Sequence, residues 1–261
     1  MFRPLTFLCI AFLTGVAAAA KVETFNVWPS PGLPTSGDVV AIVPEVYDGS
    51  TAFPAFLLLH GATDDCRTWM KNGGDLRALA DKHGRIILCP SAGPVSWYNT
   101  RNGSEQYLVE MVLPAAAQRY KLSGDCWIGG NSMGGYGALR LFANHPKKFS
   151  AVLALSPGTK PSRWAPQFGI SEAFGPFAKS GIDDTFTDVW MKKLPKDSRP
   201  IVMVCGDRDF FLKDFNECLD AAKKFGLPVI SEPVQGDHSW EFWSRELPRA
   251  LVKLPPTTGK R

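Results

Sequence analysis

Residues 126–138 read Cys126-Trp127-Ile128-Gly129-Gly130-Asn131-Ser132-Met133-Gly134-Gly135-Tyr136-Gly137-Ala138. The first three are an apolar run with the composition of a buried strand, and glycines end it. From Met133 the chain continues through Leu139, Arg140, Leu141, Phe142 and Ala143 with the composition of a helix. Strand, tight turn and helix are the setting in which Gly-x-Ser-x-Gly carries chemical meaning. A serine whose hydroxyl projects from a sheet edge sits on a strained turn, so the positions two before and two after it must be small. The helix N-terminus behind it favours developing negative charge. Ser132 is therefore the candidate nucleophile.

Outward from that turn, strand-like runs recur at residues 39–43, 55–60, 86–89, 126–129, 151–155, 201–205 and 229–234. Several are continuously apolar and bounded by Gly or Pro, as strands covered on both faces are. Helix-like segments fall between them at 75–83, 104–120, 133–144, 211–225 and 240–251, and Pro114 should kink the second. Alternation of this kind predicts an α/β fold with a mostly parallel sheet of about eight strands flanked by helices. Before Ala55 no helix intervenes, so that part reads as an antiparallel, hairpin-like edge. Residues 158–199 form a long irregular connection with Pro161, Pro166, Pro176, Pro195 and the aromatics Trp164, Phe168, Phe174, Phe177, Phe186 and Trp190. It reads either as a short lid or pocket wall or as a packed excursion over the core. Residues 253–261 read as a flexible tail.

The chain of 261 residues is 45% hydrophobic and 21% charged, a globular balance that allows one sizeable core, read here as a single domain over residues 21–252. A net charge of +4 is spread over scattered lysine pairs, which argues against a nucleic-acid partner. Arg3, the apolar stretch 5–16 and the small residues 17–20 have the order of a secretory signal, with the cut expected before Lys21. The expected location is secreted or periplasmic, with no membrane anchor once the signal is removed. Five cysteines follow: Cys66, Cys89, Cys126, Cys205 and Cys218. The count is odd and the spacing names no pair. No spacing suggests a structural metal. Oligomeric state is not legible.

A serine hydroxyl needs a general base. Of four histidines, His60 follows a strand, His83 ends a helix, and His145 sits at a helix C-terminus. His238 lies in the polar loop Gln235-Gly236-Asp237-His238-Ser239-Trp240 after the last strand, at the edge where open α/β sheets bind ligands. It is the candidate base. A nucleophile carried on this kind of turn is followed along the chain by an acid and then the histidine. Asp207 and Asp209 both lie in Gly206-Asp207-Arg208-Asp209-Phe210-Phe211, and spacing does not choose between them. A tetrahedral intermediate also needs two preorganised N–H donors. Those of Met133 and of Ala62, after Leu59-His60-Gly61, are the candidates, with His60 shaping the loop.

Taken together, Leu59-His60-Gly61-Ala62, Gly130-Asn131-Ser132-Met133-Gly134-Gly135, Gly206-Asp207-Arg208-Asp209 and Asp237-His238-Ser239-Trp240 resemble the esterase D family of α/β-hydrolases, over residues 53–243. This group is similar to tributyrin esterases, S-formylglutathione hydrolases, feruloyl esterases and mycolyltransferases. The resemblance implies the α/β-hydrolase fold and a serine carboxylic-ester hydrolase working through an acyl-enzyme. The family's acid is the fourth residue of a Gly-x-x-Asp run, which corresponds to Asp209; its oxyanion donors correspond to Ala62 and Met133. Trp97-Tyr98-Asn99 resembles its pocket-lining aromatic stretch. No metal or organic cofactor is implied. The implied substrates are short-chain or small aromatic acyl esters, carbohydrate esters among them. Acyl transfer to a sugar and S-formylglutathione-type thioester hydrolysis use the same residues; an export signal argues against the second. Residues 158–199 depart from the family's length and pattern.

Overall fold

A strand with both faces covered must be apolar at odd and even positions alike. In the computed structural model, which describes residues 19–28, 33, 35–175, 190–197 and 199–256, such runs build an eight-stranded sheet. The strands are β1 (Lys21–Asn26), β2 (Asp38–Val43), β3 (Phe53–Leu59), β4 (Ile86–Pro90), β5 (Leu122–Asn131), β6 (Ala151–Leu155), β7 (Ile201–Gly206) and β8 (Val229–Val234). Their order is β1-β2-β4-β3-β5-β6-β7-β8. β1 and β2 pair antiparallel, as do β2 and β4. Every other pairing is parallel. The expected antiparallel edge is therefore present, and this is the sheet of an α/β-hydrolase.

The helices are α1 (Thr68–Asn72), α2 (Leu76–His83), α3 (Ser104–Gln106), α4 (Leu113–Arg119), α5 (Met133–Asn144), α6 (Pro161–Trp164), α7 (Ile170–Phe174), α8 (Leu212–Lys224) and α9 (Trp240–Leu251). They cover both faces. In β2, Val39, Ala41 and Val43 join the layer that holds α4, α5 and α8. Val40 and Ile42 join the layer that holds Trp69, Leu76 and Leu79 with Phe242 and Leu247 of α9. Local signals agree with these ends. Asp75 caps α2 by accepting the Ala78 N–H, and Gly84 closes it in the left-handed conformation. Ser239 caps α9 through the Phe242 N–H.

Two expectations are corrected. The helix over 104–120 is not uniformly α-helical. Tyr107–Val112 is π-helical between α3 and α4, and Pro114 falls in the first turn of α4. The wider π turn lies directly ahead of Pro114, whose missing N–H and ring interrupt the α pattern of the preceding turn. The tail does not begin at Lys253: Leu254 is buried, and the chain is docked at least that far. All five cysteines in the described residues are free and buried, in keeping with a spacing that names no pair. The signal at 1–20 lies outside the described residues up to position 18, as do residues 176–189 of the long connection and 257–261 of the tail. No helix among the described residues is long and apolar enough to cross a membrane.

Candidate active site

Three strands deliver the site from their C-terminal ends. β5 ends at Asn131, and Ser132 follows with φ 53° and ψ −117°, immediately before α5. A non-glycine residue held there carries about 1–3 kcal/mol of strain. The surroundings hold it: the Ser132 N–H donates to Leu155 O at 2.8 Å, and the Tyr136 N–H to Ser132 O at 3.1 Å. The two flanking glycines are required by close backbone approach. A Cβ on Gly130 would lie 2.6 Å from Leu59 O, and one on Gly134 2.5 Å from the same oxygen and 2.6 Å from His60 O.

The turn after β7 separates the two aspartates that spacing leaves open. Asp207 accepts the Gly236 N–H at 3.0 Å, while the N–H groups of Asp207 and Arg208 donate to Val234 and Gly236. It latches the β7 turn to the β8 loop. Asp209, buried, accepts the Phe211 N–H at 2.8 Å. Its two carboxylate oxygens lie 3.0 and 2.9 Å from His238 Nδ1. His238 Nε2 lies 2.9 Å from Ser132 Oγ. Ser132, His238 and Asp209, 106 and 29 residues apart in sequence, thus form one hydrogen-bonded chain.

The loop after β3 flanks Ser132 on the opposite side from His238, because β3 and β6 are the two neighbours of β5. His60 is buried. Its Nε2 accepts the Ala92 N–H at 3.3 Å, so Nδ1 carries the proton and donates to Gly61 O at 2.8 Å. Burial lowers the His60 pKa, against the pull of Gly61 O and Asp65. Tyr98 Oη donates to His60 O at 2.9 Å, and Trp69 Nε1 to Leu59 O at 2.9 Å. The backbone entering Gly61 and Ala62 is therefore braced from two sides. Among the described residues neither the Ala62 nor the Met133 N–H donates a hydrogen bond. Beside this loop, burial pushes the Asp64 carboxyl up to about 6, with the Gly61 N–H pulling the other way.

Trp97 and Tyr98 do not line an open pocket. Both are buried, both have φ 48°, and their contacts are internal. The Trp97 N–H meets Met133 Sδ at 3.3 Å, and its Nε1 donates to Phe168 O at 2.9 Å. Tyr98 fills the space where a Cβ on Gly137 would stand. Both rings pack beneath the site. The aromatic side chains next to His238 are others: Phe210 at 4.2 Å between centroids, Trp243 at 4.9 Å and Phe211 at 5.1 Å. The long connection adds Trp164, 5.1 Å from Phe211, and Phe168, stacked on Phe210. Their clustering in sequence is visible, but their convergence on one histidine is not. Among the described residues no group of three or more His, Cys, Asp or Glu is arranged to hold a metal.

Comparison with known proteins agrees with this architecture. The family model described as "Putative esterase" matches residues 30–254. An acetyl esterase of Caldicellulosiruptor saccharolyticus is 28% identical over 219 residues, which are 74% of this chain and 80% of that protein. A substrate-bound fluorophosphonate-binding serine hydrolase of Staphylococcus aureus superposes with a TM-score of 0.77 at 22% identity, covering 90% of this chain and 98% of that one. An S-formylglutathione hydrolase of the same organism gives 0.74 at 22% identity over 90% and 99%. The chain belongs to this esterase family and is a serine esterase of the α/β-hydrolase fold.

Proposed function

We propose that the chain hydrolyses carboxylic esters through an acyl-enzyme on Ser132. The observation that carries this reading is the hydrogen-bonded chain from Asp209 through His238 to Ser132 Oγ. In the first half-reaction His238 Nε2 takes the Ser132 proton as Oγ attacks the ester carbonyl. The Ala62 and Met133 N–H groups receive the oxyanion. His238 then gives its proton to the leaving alcohol. In the second half-reaction it takes a proton from water as the water attacks the acyl carbonyl, then returns that proton to Ser132 Oγ as the acyl–oxygen bond breaks and the carboxylic acid leaves. Asp209 holds the imidazole in the tautomer with Nδ1 protonated and supports the cation that forms. Short-chain or small aromatic acyl groups, carbohydrate esters included, are the proposed substrates, and the leader-like residues 1–20 support action outside the cytoplasm.

Hydrolysis of p-nitrophenyl acetate by the purified chain tests this reading. Ser132→Ala lowers kcat/KM by on the order of 10⁴-fold or more. Activity retained in that variant would end the assignment. Product analysis with and without an added sugar separates hydrolysis from acyl transfer.

A further inference from the structure

Burying the apolar side chains of the long connection would be its ordinary contribution to folding, and Ile170, Phe174 and Met191 do so. Phe168 does the opposite. Its backbone is left-handed, φ 56° and ψ 25°, which is unfavourable for a bulky residue. Its carbonyl oxygen turns inward to accept Trp97 Nε1, and the residue is 39% exposed. Gly169 follows with φ +67°, so close to Val95 that a Cβ would lie 2.4 Å from Val95 Cβ. The turn is pinned from beneath, and the ring stands above it. There it stacks on Phe210, itself 43% exposed, with centroids 5.6 Å apart and planes within 8°.

This pair is mounted rigidly. Trp164 packs 5.5 Å from Phe210, and its Nε1 donates to Asp214 Oδ2 at 2.6 Å. Asp214 is fully buried on α8 and also pairs with Arg163. Arg163 in turn bonds Glu217 at 3.0 Å. Helix α6 and the Phe210 turn are thereby tied to the same face of α8, and the two exposed rings need no rearrangement to meet a ligand.

Resting on the esterase reading above, we infer that Phe168 and Phe210 form the binding face for the alcohol half of the ester, and that this alcohol carries a ring with an apolar face. The side is set by chemistry. His238 Nε2 must reach the leaving oxygen to protonate it, and the Phe210 ring is 4.2 Å from the His238 ring. The oxyanion loop lies across Ser132, on the β3 side. What is attached to the leaving oxygen therefore emerges over Phe210 and Phe168, whereas the carbonyl oxygen points away from them. A ring with an apolar face fits a stacked aromatic pair. An aryl-methyl alcohol offers that face through its π system, and a pyranose chair through its axial C–H groups.

The test measures kcat/KM for ethyl acetate, benzyl acetate, a 6-O-acetyl pyranoside and ethyl benzoate. It compares the unsubstituted enzyme, Phe168→Leu and Phe168→Tyr. Leu keeps the apolar bulk and loses the flat face; Tyr keeps the face. The expected result is a preference for a ring-bearing acetate over ethyl acetate that falls roughly three- to tenfold in Phe168→Leu, chiefly through KM, and survives in Phe168→Tyr. Which of the two ring acetates shows the fall identifies the alcohol as aryl or sugar. An unchanged ratio in Phe168→Leu, or a loss confined to ethyl benzoate, overturns the inference while leaving the esterase reading intact. No turnover of any ester overturns both.

Discussion

Two carboxylate–histidine pairs sit on this sheet, and they do different things. Glu105 Oε1 lies 2.9 Å from His145 Nε2, a contact as short as that between Asp209 and His238. The difference is in what surrounds each pair. Glu105 also takes Arg140 Nε at 2.9 Å and Asn144 Nδ2 at 3.0 Å. Burial raises its pKa, but His145, Arg140 and Asn144 outweigh that and hold it below the ordinary glutamate value. Its oxygens are saturated from α5, and it fastens α3 to that helix. Among the described residues no arginine, lysine or asparagine side chain bonds Asp209 in this way. The His238 imidazole is held at one nitrogen by the acid and faces Ser132 with the other. An acid–histidine pair becomes reactive through the group on the histidine's far nitrogen, and structural through cations on its near side.

That contrast can be broken at either pair. The largest effect belongs to Asp209→Asn, for which kcat/KM falls by on the order of 10⁴-fold, as expected when the orienting acid is lost. Asp207→Asn, which disturbs only the latch to Gly236, stays within about tenfold. Ester hydrolysis rates of the two variants check this, and the reverse ranking moves the acid to Asp207.

Glu105→Ala gives the complementary result. Removing it leaves the buried Arg140 without this carboxylate, so unfolding free energy drops by about 3–5 kcal/mol in a denaturant titration. Turnover per folded molecule stays within about threefold. The acid dependence follows from its lowered pKa. The contribution of Glu105 is complete above the ordinary value of 4.5 and is lost as pH falls through the folded value. Glu105→Gln flattens that acid limb.

Asp64 sharpens the contrast with the smallest effect. It is a half-buried carboxylate with no cation beside it among the described residues, and Asp65 stands next to it. Its raised pKa reverses the sign: stability declines as pH rises from the ordinary 3.8 and reaches its full loss above about 6. Asp64→Asn therefore stabilises the chain by on the order of 1 kcal/mol at pH 7 after solvent screening, and not at all below pH 3.8. Thermal unfolding at the two pH values checks it.

Most of the sheet was legible because both-face burial leaves unbroken apolar runs, as in Ile86-Ile87-Leu88 or Ala151-Val152-Leu153. β1 carries no such run. Lys21-Val22-Glu23-Thr24-Phe25-Asn26 is a half-exposed edge strand whose pairing comes from β2, not from its own composition. The π-helical turn at Tyr107–Val112 has no compositional mark either. At the site, Ser132 and His238 could be picked out by chain order and turn chemistry. Asp207 and Asp209 could not be separated, because one residue's difference in a turn is decided by which carboxylate the β8 loop engages. Trp97 and Tyr98 were read as pocket residues from resemblance, but the left-handed backbone at both sends their rings inward. Phe168 and Phe210 went unread as partners because their meeting depends on a left-handed turn and on the pinning of α6.

The five buried thiols give the molecule a set of internal clocks. Burial raises the pKa of each, Cys126 to about 12 and Cys66, Cys89, Cys205 and Cys218 also upward. A thiol held neutral and out of solvent does not react with an alkylating reagent until the chain around it opens. The five report from separate places: the α1 approach, β4, β5, β7 and α8. Alkylation rates read one cysteine at a time would therefore map the order in which the sheet comes apart, with no label having to be introduced.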